Sequence, residues 1–155
     1  MTAPPVSLVI ADADAMRTLA ARVAPGCRVG DVVVLSGQLG AGKTTFTQGF
    51  ASGLQVAGAV TSPTFVIARV HRSKVGGPDL VHVDAYRLGG LAELDDLDLD
   101  ASIAESVTVV EWGEGLAEAL SEEVVHVAIE RDSELNESAS DARRVTVTWP
   151  SGRGG

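Results

Sequence analysis

The chain has 155 residues, the size of one ordinary domain, and its 12 basic and 21 acidic side chains give a net charge of −9. An apolar fraction of 45% is enough to build a core, which argues against intrinsic disorder and leaves no room for a second large domain. The single cysteine, Cys27, excludes an intramolecular disulfide framework, and no apolar run approaches the roughly 20 residues of a membrane span.

The N-terminal third predicts a strand, a helix and a second strand. The apolar segment from Val6 to Ile10 is typical of a strand, and Asp12 is the expected N-cap of the helix that follows. Apolar residues then recur at helical spacing, at Met16, Leu19, Ala20 and Val23. Pro25 and Gly26 end this helix. The uninterrupted run from Asp31 to Ser36 is typical of a strand buried on both faces of a parallel sheet.

The rest of the chain alternates between predicted helices and strands. Phe46, Phe50 and Leu54 form one apolar stripe of a second helix. Predicted strands and short helices follow, and they are Phe65 to His71, Leu80 to Asp84, the helix end at Ala101 to Glu105, Val107 to Val110, the helix Gly115 to Leu120, Val124 to Ile129 and Arg144 to Trp149. The turn from Gly76 to Asp79 predicts a hairpin between the first two of these strands.

These elements predict one α/β domain with a mixed, mostly parallel sheet, flanked by helices and extended by hairpins. No linker is long enough to separate two domains, so we expect one domain over residues 1–150 and a flexible C-terminal tail at 151–155. The first ten residues contain two prolines and no basic residue, unlike a secretory signal. We therefore expect a soluble cytoplasmic protein without a membrane partner.

Charge restricts the partners further. Domains that grip nucleic acid alone usually carry a net basic face, so a charge of −9 argues against direct binding of DNA or RNA. The stretch from Arg69 to Lys74 is the one short basic segment. Five acidic residues fall in the run 93–100, which we interpret as solvated surface, with a partner-binding surface as the alternative.

The segment between the second strand and the second helix, residues 37–44, reads GQLGAGKT and matches the phosphate-loop pattern G-x-x-x-x-G-K-[ST]. Glycines let successive backbone N–H groups curl around a phosphate at a helix N-terminus, which predicts a P-loop NTPase-type domain. Lys43 is expected to reach the β- and γ-phosphates, and the Thr44 hydroxyl to bind Mg²⁺. The candidate nucleotide-binding residues are Gly37, Gly40, Ala41, Gly42, Lys43, Thr44 and Thr45.

ATP is favoured over GTP as the nucleotide. Guanine-specific switch proteins usually read the base through an N-K-x-D element, and the one asparagine of this chain, Asn136, is far from either lysine. We therefore expect ATP and Mg²⁺ as the cofactors.

Two carboxylates follow predicted strands and are candidate catalytic and metal-binding groups. Asp84 ends one strand and Glu111 follows another, near where nucleotides lie in open α/β sheets. Either group is expected to bind Mg²⁺ or to position the attacking water, and the sequence leaves open which one contacts the metal. The alternative is that both are ordinary turn residues.

Two further groups of side chains have both a functional and a structural interpretation. The segment from Thr61 to Phe65 is either a turn around Pro63 or a switch in which the Thr64 hydroxyl senses Mg²⁺ or γ-phosphate. Thr64 is therefore a third candidate catalytic residue. The three histidines, His71, His82 and His126, form no ligand cluster, and we interpret them as structural, with no zinc site.

The order of four motifs is more specific than any one of them: GQLGAGKTTF at 37–46, TSPTF at 61–65, HVDAYRL at 82–88 and VVEWGE at 109–114. Together they resemble the TsaE (YjeE) family. The resemblance implies a small bacterial P-loop ATPase that takes part in the threonylcarbamoyl-adenosine modification of tRNA. It implies TsaD and TsaB as protein partners, with tRNA met only through their complex.

The resemblance also implies roles for single positions. Lys43 and Thr44 match the phosphate and Mg²⁺ residues, Asp84 and Glu111 the functional carboxylates, and Thr64 the switch threonine. Three more residues fall in family motifs with roles left open, namely Tyr86, Arg87 and Trp112. The two aromatic ones pack at a sheet edge in the alternative interpretation.

Two other function classes remain. A small-molecule kinase would share the loop and the Mg²⁺ carboxylate, but the sequence has no long insert for an arginine-bearing lid. A binding module switched by the nucleotide without turnover would carry the same motifs. We expect an ATP hydrolase that is slow without its partners.

Overall fold

The computed structural model describes residues 6–37, 42–58, 68–84, 104–111, 124–130 and 142–150. These residues form two α-helices and seven strands. The helices are α1 (Ala13–Val23) and α2 (Lys43–Leu54). The strands are β1 (Val6–Ile10), β2 (Val32–Ser36), β3 (Ala68–His71), β4 (Asp79–Asp84), β5 (Ser106–Glu111), β6 (Val124–Glu130) and β7 (Arg143–Thr148).

All seven strands belong to one mixed sheet with the order β1-β7-β6-β2-β5-β4-β3. The four central strands, β6, β2, β5 and β4, are parallel to one another. At the two margins, β7 and β1 on one side and β3 on the other are antiparallel to their neighbours. The predicted α/β class with a largely parallel sheet is confirmed, and so is the β3–β4 hairpin.

The core lies between one face of the sheet and the two helices. Phe46, Phe50 and Leu54 of α2 are buried in it, as the apolar stripe predicted. Alternate residues of the central strands complete this face, among them Val33 and Leu35. Val32 and Val34 on the opposite face are also buried, so β2 is covered on both faces as its sequence indicated.

Helices α1 and α2 pack so closely that two glycines of α2 are required. A Cβ atom at Gly49 would overlap the backbone of Arg17, and one at Gly53 would lie 2.6 Å from the carbonyl oxygen of Ala21. The two glycines are four residues apart and therefore share one side of α2. Their lack of side chains allows the backbones of the two helices to touch.

The ends of the elements follow local hydrogen bonding. The Asp12 side chain caps α1 by accepting a 2.8 Å bond from the Ala15 N–H, as predicted, and a 3₁₀ turn at Ala24–Gly26 ends the helix region. Asp31 was predicted inside β2 but lies just before it. Its carboxylate accepts a 2.6 Å bond from the Arg28 N–H and closes the turn that precedes the strand.

The β3–β4 hairpin is held by Asp79. Its carboxylate accepts bonds from the Ser73 N–H at 2.6 Å and from the Arg72 guanidinium at 3.1 Å. The Ser73 N–H, followed by Arg72, lowers the pKa of Asp79 below its ordinary value of 3.8. The hydrogen bonds therefore favour the charged form of Asp79.

Several expectations lie outside the described residues: most of the helix end at Ala101 to Glu105, the helix Gly115 to Leu120, the acidic run 93–100 and the tail 151–155. Neither of the α-helices described is long and apolar enough to cross a membrane.

Candidate functional site

Three adjacent strands end together at one edge of the sheet. In the parallel register, Leu35 of β2 and Asp84 of β4 both pair with Glu111 of β5. The carboxyl ends of parallel strands meet at the same edge, where open α/β sheets bind their ligands. The two predicted carboxylate positions therefore lie side by side, next to the strand that leads into the phosphate-loop motif.

Helix α2 begins at this edge. Gly42 has a φ of 115°, a left-handed conformation that favours glycine, and Lys43 is the first helical residue. The Phe46 N–H donates the first helical bond, to the Gly42 carbonyl at 2.9 Å. The helix is not capped by a side chain and has no acidic residue in its first turn, whereas α1 has the Asp12 cap and Asp14. The first turn of α2 therefore presents N–H groups and partial positive charge without a side-chain anion of its own.

Lys43 is buried at the start of α2, although lysine is rarely buried without partners. Its ammonium donates a 2.7 Å bond to the Gly37 carbonyl, so the lysine side chain crosses from the helix to the first residue of the loop. Its own carbonyl accepts a 2.9 Å bond from the Thr47 hydroxyl. The Lys43 backbone is thus held in the first turn of α2, and its ammonium is held at Gly37, at the other end of the glycine-rich segment.

Glu111 is also buried, and a histidine from the next strand holds it. The Nε2 atom of His82 lies 2.6 Å from Oε2 of Glu111, with the two side chains 0% and 6% exposed. In the Nε2–H tautomer, the His82 ring donates this hydrogen bond to Oε2. Among the described residues, His82 Nδ1 is buried and has no hydrogen-bond partner. The carboxylate predicted for the site is therefore anchored from β4.

The structure brings together most of the predicted loop residues and both strand ends. Gly37 directly follows β2. Residues 38–41, which include Gly40 and Ala41, lie outside the described residues. Gly42 and the first turn of α2, with Lys43, Thr44 and Thr45, face the same sheet edge as Glu111 by their place in the fold. For Asp84 the backbone register alone is described. Predicted residues outside the described ranges are Thr64, Tyr86, Arg87 and Trp112.

His82 is the residue of this site that sequence reasoning missed, since the histidines were interpreted as structural. One signal was available: in a strand, residues i and i+2 face the same side, so His82 shares a face with Asp84. The pairing of Asp84 with Glu111 then brings Glu111 to that face too. That step required the register between β4 and β5.

Comparison with known proteins agrees with the four motifs. A family model described as "Threonylcarbamoyl adenosine biosynthesis protein TsaE" matches residues 10–143. The chain belongs to the TsaE family. Membership places it in threonylcarbamoyl adenosine biosynthesis, as the resemblance implied.

Individual TsaE relatives are similar over most of their length. The tRNA threonylcarbamoyladenosine biosynthesis protein TsaE of Streptomyces coelicolor is 60% identical over 134 residues, covering 86% of this chain and 89% of the relative. The protein of the same name from Bacillus subtilis is 38% identical over 133 residues, covering 85% and 78%. The crystal structure of Bacillus subtilis YdiB matches with a TM-score of 0.74 at 31% identity, covering 97% of this chain and 88% of YdiB.

Proposed function

We propose that this TsaE family member is a Mg²⁺-dependent ATPase that supports the threonylcarbamoyl-adenosine modification of tRNA together with TsaB and TsaD. One observation carries the proposal: the buried Lys43 bonds Gly37, the residue after β2, and the buried Glu111 ends β5, the strand that pairs with β2 at the same sheet edge. A phosphate-binding cation and a carboxylate at this edge are the two parts that phosphoryl transfer needs from a protein.

The loop end of the site suits a triphosphate. The N–H groups of the first turn of α2 are donors for phosphate oxygens, and Lys43 adds a full positive charge. Gly42 keeps the backbone in a left-handed turn that a residue with a Cβ rarely adopts. The resemblance and the lack of a guanine-reading motif favour ATP.

The oxygen groups at this edge fit Mg²⁺, which prefers hard oxygen ligands. The Thr44 hydroxyl and a carboxylate of Asp84 or Glu111 would hold it. When bound, Mg²⁺ would supply positive charge that offsets the negative charge of the phosphates. The remaining carboxylate is then available to orient the attacking water, and the Thr64 hydroxyl is proposed to sense the γ-phosphate.

Lys43→Ala tests this site directly. The variant is expected to keep its fold and to lose at least tenfold in affinity for ATP with Mg²⁺, because a charge-assisted contact to phosphate is removed. Titration with a fluorescent ATP analogue measures the affinity, and GTP is expected to bind more weakly. Lys74→Ala, at the other lysine of the chain and on an exposed turn, is the matched control.

Unchanged affinity in folded Lys43→Ala would contradict the nucleotide site, and equal binding of GTP would contradict the preference for ATP. Phosphate release without any added acceptor separates the hydrolase from a small-molecule kinase. Binding of ATP with no turnover, even with TsaB and TsaD present, would favour a nucleotide-switched binding module.

A further inference from the structure

His82 is a buried polar residue whose presence core packing does not explain. In register, His82 pairs with the fully buried Val109 of β5 and with the exposed Arg69 of β3. Leu80, two residues earlier on the same face of β4, is apolar and fully buried. Within the part of the chain that the structure describes, His82 makes one side-chain hydrogen bond, to Glu111, and its Nδ1 is buried without a partner. An orphaned buried nitrogen costs stability, so an apolar side chain would serve the core better.

We propose that His82 is a positioning residue for Glu111, holding Oε2 so that Oε1 is the oxygen that acts on Mg²⁺ or on the attacking water. The inference rests on the proposed ATPase function. It assigns to His82 no contact with the nucleotide.

Because Glu111 is buried, its carboxylate depends on a hydrogen bond to offset the loss of water. A buried carboxylate is costly unless it is paired or hydrogen-bonded, and the Glu111 side chain is 6% exposed. Among the residues that the structure describes, His82 supplies its hydrogen bond. Removing the imidazole N–H therefore leaves the Glu111 side chain free to change rotamer, which moves its oxygens within the site.

The side from which His82 approaches Glu111 also fits a positioning role. His82 lies two residues before Asp84 on β4, so it stands one pleat further from the carboxyl edge than the Asp84–Glu111 pair. The ring approaches Glu111 from the core side. This leaves the edge side of the carboxylate for a ligand, and outer groups of this kind typically change activity 10–100-fold when removed.

Two polar variants, His82→Gln and His82→Asn, separate the effect of the hydrogen bond to Glu111 from the effect of having any polar side chain at this position. The Gln side chain places an amide N–H near the position of Nε2, whereas Asn is too short to reach Glu111. His82→Asn and His82→Leu are expected to lower kcat at least tenfold and to leave the affinity for ATP with Mg²⁺ within about twofold. His82→Gln is expected to retain most of the wild-type kcat. Val81→Ala, the neighbour on the opposite face of β4, is the control for lost packing.

A double-mutant cycle with Glu111→Gln tests the coupling. If His82 acts through Glu111, His82→Asn in the Glu111→Gln background should lower kcat by less than twofold further. For the melting temperature of the nucleotide-free protein, the cycle uses Glu111→Ala, which removes the hydrogen-bond acceptor, and the double mutant should lose less than the sum of the two single losses. This thermal readout needs no turnover.

Equal losses of kcat in both backgrounds, wild-type kcat in folded His82→Asn, or a His82→Gln variant no better than His82→Asn would each overturn the inference while the ATPase proposal stands. Wild-type protein that hydrolyses no ATP with Mg²⁺, TsaB and TsaD would overturn the proposed function and this inference with it.

Discussion

At the residue scale, Glu111 places a carboxyl group in a buried position at the carboxyl edge of the sheet. Its neighbours in register are the apolar Leu35 and the acidic Asp84. A carboxylate in such a place is weakly screened by water, so its charge acts strongly on a nearby metal ion or a developing transition-state charge. The His82 bond keeps that charge in one place.

Glu111→Gln is expected to bind ATP with near wild-type affinity and to lose turnover by about 10²-fold, because the charge acts mainly on the transition state. The amide has nearly the same shape and can still accept the His82 N–H bond, so the fold should be retained. Nucleotide titration and steady-state phosphate release measure the two effects. Glu105→Gln, an exposed residue just before β5, is the matched control. Wild-type turnover in Glu111→Gln would reduce Glu111 to a structural carboxylate.

The positions of Lys43, Asp84 and Glu111 along the chain could be predicted, because each depends on a local pattern: a glycine-rich loop or an apolar strand that ends in a carboxylate. The His82–Glu111 bond could not, since its partners are 29 residues apart and meet only through the register of two strands. Single-residue patterns carry no information about that register.

At the element scale, different residues of α2 contribute to the candidate site and to the packing against α1. Its first turn faces the sheet edge, and its middle packs backbone to backbone against α1 through Gly49 and Gly53. The apolar stripe of Phe46, Phe50 and Leu54 was predictable from the helical period. The glycine contact was not, because a glycine in a helix gives the same local signal whether it faces solvent or another backbone.

Gly49→Ala is expected to destabilise the protein by about 1–3 kcal/mol, although alanine is the better helix former. The added methyl group would overlap the Arg17 backbone and force the two helices apart. Chemical denaturation measures the change in the free energy of unfolding. Ser52→Ala, at an exposed position of the same helix, is the control and should change stability by less than about 0.5 kcal/mol. A Gly49→Ala variant as stable as wild type would contradict the close helix contact.

At the scale of the whole molecule, net charge bears on whether RNA or a protein is expected to activate the proposed ATPase. A net charge of −9 repels the phosphate backbone of RNA, and the stretch from Arg69 to Lys74 is small. Within that stretch the Arg72 guanidinium is already bonded to Asp79, and His71 is buried. The protein therefore offers RNA few free cations in this stretch, which favours a protein partner as the activator.

We expect ATP hydrolysis to be slow in the isolated protein, accelerated by TsaB and TsaD together, and changed much less by tRNA alone. Steady-state phosphate release measures this with the protein alone, with tRNA, with the two proteins and with all components. Strong stimulation by tRNA in the absence of both proteins would contradict the expectation and indicate a direct RNA-dependent ATPase.

The sheet class and the β3–β4 hairpin were predictable, because periodicity and turn residues are local. The strand order was not, since it depends on which distant strands pair. β2 pairs with β5 and β6, and not with β1 or β3, its neighbours in sequence.

That strand order determines when the sheet edge beside the glycine-rich loop is completed during translation. Val32 of β2 pairs with Thr108 and Val124, and β1 pairs with β7 alone. A nascent chain that has emerged only as far as residue 105 therefore contains the whole glycine-rich loop but none of the strands that pair with β2. Residues up to 130 must leave the ribosome before both sides of β2 are paired, so the sheet edge that carries the proposed nucleotide site is completed late in synthesis.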